Sequence, residues 1–117
     1  MILMSWADLH ERTRIVHTVL ARAAVDPDDP GIFDGLGDLD RLFGGPEGLL
    51  LALGHRWRNH LDVKIELGLV QGRSAAQMYR ELCTEQPELR ALLDAQYRRR
   101  NLDAVAPVPE RVGARGR

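Results

Sequence analysis

Gly44-Gly45-Pro46-Glu47-Gly48-Leu49-Leu50-Leu51-Ala52-Leu53 opens the stretch that decides the fold. Proline suits the first helical position, where its missing N–H would be unpaired in any case, and the glutamate after it suits the positive end of the helix dipole. No proline follows before Pro87. The pattern predicts a helix from Pro46 to about Val70, closed by Gly72. Leu50, Leu53, Trp57, Leu61 and Ile65 form one apolar stripe along it, widened by Leu49, Leu67 and Leu69. A helix of that length, roughly 35–40 Å at 1.5 Å per residue, is the central member of a small bundle.

Upstream, Ser5-Trp6-Ala7-Asp8 is a capping signal. A helix is expected from Trp6 to about Ala24, with Leu9, Ile15, Val16, Val19, Leu20 and Ala23 recurring at helical spacing. Asp26-Pro27-Asp28-Asp29-Pro30-Gly31 stops it. Residues 26–47 carry seven carboxylates against Arg41 alone, a net of −6. Their Ile32, Phe33, Leu36, Leu39, Leu42 and Phe43 can dip into a core, so an ordered connection with one short helix near 38–43 is expected. Downstream, Ser74-Ala75-Ala76-Gln77 is a capping box for a helix to about Thr84. Pro87 restarts the chain, and Leu89, Leu92, Leu93 and Tyr97 mark the apolar side of a last helix to Arg100. The stretch from Asn101 to Arg117 has two prolines, two glycines and no periodicity. The fold class is therefore all-α: about four helices in one domain over residues 1–100, followed by a basic tail over residues 101–117 without regular structure.

The 117 residues suffice for one domain and a core without staples. Hydrophobic content of 44% and charged content of 28% exclude wholesale disorder. The single cysteine, Cys83, excludes a disulfide-built scaffold. Met1-Ile2-Leu3-Met4 lacks the basic flank and length of a secretion signal, and no apolar run approaches a membrane span, so a cytoplasmic protein without membrane contact is expected. The net charge of −1 divides into −5 over residues 1–96 and +4 over residues 97–117. Nucleic-acid contact would therefore come only from the tail, through Arg98, Arg99, Arg100, Arg111, Arg115 and Arg117. A solubilising end is the other reading of these arginines.

Gly54-His55-Arg56-Trp57-Arg58-Asn59-His60 is the richest stretch in chemistry. His55, Arg56, Trp57, Asn59 and His60 are the candidates for a ligand or partner contact; the plain alternative is a core tryptophan with polar neighbours turned outward. His55 and His60, five apart, project about 140° from each other, whereas a helical metal pair needs a spacing of three or four. No metal or cofactor is expected. Ser5 and Ser74 are better explained as caps, Cys83 as a small core hydrophobe. No nucleophile elbow, phosphate loop or dinucleotide fingerprint occurs, so no catalytic residue is named.

Glu11-Arg12-Thr13-Arg14-Ile15-Val16-His17-Thr18-Val19-Leu20-Ala21-Arg22 resembles the first helix of the tetracycline-repressor (TetR) family of regulators. Leu42 to Leu53 is similar to that family's entry into its fourth helix, and Gln86-Pro87-Glu88-Leu89-Arg90-Ala91-Leu92-Leu93-Asp94 to segments of its ligand and dimer domain. The resemblance implies a DNA-binding, dimeric regulator. Between these points, however, only the 17 residues from Val25 to Arg41 stand where the family places the two helices of its helix-turn-helix. A shortened relative without a recognition helix is implied, and no DNA-contacting residue carries over. Three functions remain as expectations: a non-enzymatic protein acting through protein contact, expected to be a homodimer; a TetR-like regulator; and a small-ligand-binding helical domain.

Overall fold

The computed structural model describes residues 5–105. It is all-helical, with no strand among the described residues. The elements run α1 (Trp6–Val25), α2 (Leu39–Phe43), α3 (Pro46–Val70), α4 (Ala75–Glu85) and α5 (Pro87–Val105). Local chemistry sets the starts: the Ser5 hydroxyl accepts from the Asp8 amide at 3.1 Å, and Ser74 with Gln77 closes a reciprocal capping box at 3.1 and 2.8 Å.

α3 packs against α2, α4 and α5, and α1 against α5 and α2. The backbones of α1 and α3 do not approach closely, so a gap remains between them. The core is Ile15 and Val19 of α1, Ile32, Leu36 and Leu39 of the connection and α2, Leu49, Leu50, Leu53 and Trp57 of α3, Leu82 of α4, and Leu89, Leu92 and Leu93 of α5.

The acidic connection is ordered by its own turns. The amides of Asp29, Ile32, Asp34 and Leu39 each bond a carbonyl three residues back, and the Asp26 and Asp29 carboxylates accept from Asp28 and Gly31. Arg22 then pins it to α1, its Nη1 donating to the carbonyls of Ile32 (3.0 Å) and Asp34 (2.7 Å). Gly44 (φ 80°) and Gly45 (φ 91°) make the sharp corner between α2 and α3, in a backbone region closed to other residues without strain.

Three points differ from the sequence-based expectation. α5 continues to Val105, five residues beyond the expected boundary at Arg100, so the first residues assigned to the tail, 101–105, are helical, while Arg98, Arg99 and Arg100 lie in the helix as its expected extent implies. Arg111, Arg115 and Arg117 lie outside the described residues. Leu67 and Leu69, expected to widen the core stripe, are 60% and 61% exposed, because α4 covers α3 on one side only and meets it through Met78 at Gly68. Leu9 and Tyr97 are likewise half-exposed, and the α5 face that packs inward carries Ala95 and Gln96 instead.

Candidate functional site

Successive residues on a helix turn by about 100°, so a run of six encircles it. The structure shows this for the stretch from His55 to His60, whose side chains reach different surroundings. His55 lines a groove of about 380 Å³ between α3 and α5, with Leu51, Arg58 and Tyr97. Arg56 lines another of about 250 Å³ between α3 and α1. Trp57 is buried beneath α4 and α5: Tyr79 meets it edge-on at 6.0 Å between centroids, and the Arg90 guanidinium stacks on its face at 4.7 Å while pairing with Asp94 at 2.7 Å. Asn59 is exposed. His60 faces α4, where the Gln86 Nε2 lies 2.8 Å from Nδ1. In that pairing the amide donates and the ring nitrogen accepts. The five candidates therefore do not form one site. Trp57 is a packing residue, and the others divide among three grooves or face solvent.

The arginines of α5 are turned to the chain's own acids. Arg98 pairs with Asp28 at 3.1 Å, Arg99 donates to the Asp28 carbonyl at 2.8 Å, and Arg100 pairs with Glu47. The Arg100 guanidinium holds the Glu47 carboxyl below its ordinary range. These contacts fasten the end of α5 to the acidic connection and to the first turn of α3. The opposite charges that the sequence separates are thus neighbours in the fold.

A second charged cluster joins α3 to α4. Lys64 reaches Glu81 (2.7 Å) and Glu85 (3.0 Å), and Arg73 reaches Glu81 at 2.6 Å. Hydrogen bonds from Lys64 and Arg73 lower the Glu81 pKa, and those same carboxylates raise that of Lys64. Beside Trp57, a hydrogen bond with Cys83 raises the Tyr79 phenol. No group of three His, Cys, Asp or Glu side chains among the described residues could hold a metal ion, and no described helix is long and apolar enough to cross a membrane.

Two surface features carry no sequence motif. One is the exposed row Leu51, Arg58, Asp62 and Leu69 on α3, which a search for symmetric spacing would have found. The other is the convergence of Arg12 and His17 of α1 with Arg56 of α3, which no local spacing encodes. Comparison of the chain with protein-family models, with curated proteins and with solved structures finds no match.

Proposed function

We propose that the chain is a non-enzymatic helical interaction module whose partner is a second copy of itself, held by antiparallel pairing of α3. The observation that carries this reading is one exposed row. Leu51 is 76% and Leu69 61% exposed. Between them stand Arg58 and Asp62, each exposed and neither in an ion pair with another described residue. Leu51 and Arg58 are seven apart, as are Asp62 and Leu69, so each pair shares a face and the row is symmetric about His60.

A two-fold axis through that point sets Leu51 against Leu69 of the other copy and Arg58 against its Asp62. An isologous interface requires this self-complementarity. His55 falls opposite Ile65 of the other copy, and the groove beside Leu51 and Tyr97 receives the incoming leucine. The row spans about 27 Å of helix.

Sedimentation velocity over a concentration series tests the pairing. The unaltered chain should form a dimer. Arg58→Glu and Asp62→Arg should each give monomers, because each sets like charges face to face. The double variant should dimerise again, because the reversed charges match across the axis. A wild-type chain that stays monomeric at its highest soluble concentration refutes the reading, as does a folded double variant that fails to recover the dimer.

A further inference from the structure

The gap between α1 and α3 is lined in a way that helix packing does not require. Its floor is apolar, made by Val16, Leu53 and the Phe43 ring at the end of α2. Its rim is polar: Arg12 and His17 from α1, Arg56 from α3. No carboxylate lines it. The acids on the neighbouring turns of α1 are engaged elsewhere, Asp8 with Arg41 at 2.9 Å and Glu11 with Arg14.

Arg12 is held in place rather than free. Its Nη1 donates to the Leu42 carbonyl at 2.6 Å, and its guanidinium lies 4.1 Å from the centroid of Phe43. The remaining edge of that planar fork makes no other hydrogen bond among the described residues. Arg56 is exposed and has neither hydrogen bond nor ion pair there. Arg12, fixed over Phe43, and the unpaired Arg56 thus line one groove of about 250 Å³. That volume is below the range of drug-sized ligands, roughly 300–1,000 Å³, and suits a single ring or short branched chain. Guanidinium forks match carboxylates geometrically, and in a partly apolar groove such hydrogen bonds are stronger than in water.

We propose that the α1–α3 groove binds a small monocarboxylate with an apolar body, its carboxylate on Arg12 and Arg56 and its body against Phe43, Val16 and Leu53. The site lies on a different flank of α3 from the row of Leu51 and Arg58, so the two proposals stand independently.

Methyl NMR titration with benzoate on the full chain tests it. Saturable shifts are expected at Val16 and Leu53. Arg56→Gln should weaken binding by at least about tenfold, the loss of one charge-assisted contact. His17→Gln should weaken it less. Arg80→Gln, the same charge change on α4, should leave it intact. Benzylamine, with the same ring and opposite charge, should not bind, and inorganic phosphate should bind far more weakly than benzoate. Absence of saturation overturns the proposal. So does equal binding by Arg56→Gln and Arg80→Gln, and phosphate binding as tight as benzoate would reduce the site to bare charge.

Discussion

Replacing Gly48 with alanine tests the joint on which α2 and α3 depend. An ideal Cβ at this position falls 1.5 Å from the Phe43 carbonyl oxygen and 2.6 Å from its carbon. Both atoms are backbone, so no side-chain rotation relieves the overlap. The carbonyl would have to retreat by about 2 Å to reach ordinary contact. α2 has only five residues and is held by Leu39, 6% exposed, with Leu42 and Phe43 packed on the core. Displacing it forfeits part of the burial of three side chains, each worth about 1.5–3 kcal/mol when complete. Against this stands the helix preference of alanine over glycine, roughly 1 kcal/mol at most in the first turn. The net expectation is a loss of about 2–4 kcal/mol, or a fall in Tm on the order of 10–20 °C for a domain of this size. Two internal controls sharpen the reasoning. At Gly54 the new Cβ meets only the Tyr97 hydroxyl, at 2.7 Å, the end of a half-exposed side chain that can swing away. Gly54→Ala should therefore be neutral or stabilising by up to about 1 kcal/mol. At Gly68 it meets Cγ and Sδ of Met78 at 2.5 Å, flexible atoms of a buried side chain. Gly68→Ala should fall between, at a loss of about 0–2 kcal/mol. Urea titrations at one fixed protein concentration rank the three. A Gly48→Ala chain as stable as Gly54→Ala would refute the description of the joint.

The Glu81 cluster makes a pH prediction. Its folded pKa lies below the ordinary 4.5, so it stabilises the fold above that value and the contribution is lost as pH falls through the folded pKa. Stability measured from pH 7 to 3 should drop on the acid side, and Glu81→Gln should flatten that drop; an unchanged slope would show that other carboxylates carry it. Gln96 makes the second prediction. Its amide is buried, Oε1 accepts from Arg100 at 2.6 Å, and Nε2 has no partner. Gln96→Met removes the stranded donor while Arg100 keeps Glu47, so the urea midpoint should rise by the equivalent of up to about 1 kcal/mol. A loss of that size would show that the amide donor is satisfied.

Helix boundaries were legible where one or two residues decide them. Pro46 and Ser74 announce their helices because a missing donor and a side-chain cap are local facts. The end of α5 carries no such local mark. The first proline or glycine after Arg100 is Pro107; Asn101 to Val105 contain neither, and nothing local stops the helix there. Periodicity names a face but not what covers it. Leu67 and Leu69 carry the hydrophobicity of core residues on a turn that the eleven-residue α4 covers on one side only. Which side is bare follows from the placement of Gly68 against Met78, a contact between two elements.

The candidate site shows the same limit more strongly. Chemistry concentrated along six residues of a helix is dispersed in space by the helix itself, so the density of His55 to His60 in the sequence argues against a common pocket. Convergence needs side chains from different elements. Arg12 of α1 and Arg56 of α3 line one groove together with Phe43, the last residue of α2, which the Gly44–Gly45 corner follows. Neither arginine marks the other in the sequence. The row from Leu51 to Leu69 belongs to one helix, and its symmetry is visible without any structure. Only the fold distinguishes it from the equally periodic Leu49 and Leu53, which are buried against the bundle while Leu51 and Leu69 are left to water. A surface that two copies could share is thus partly written in spacing, whereas a groove between helices is written in packing alone.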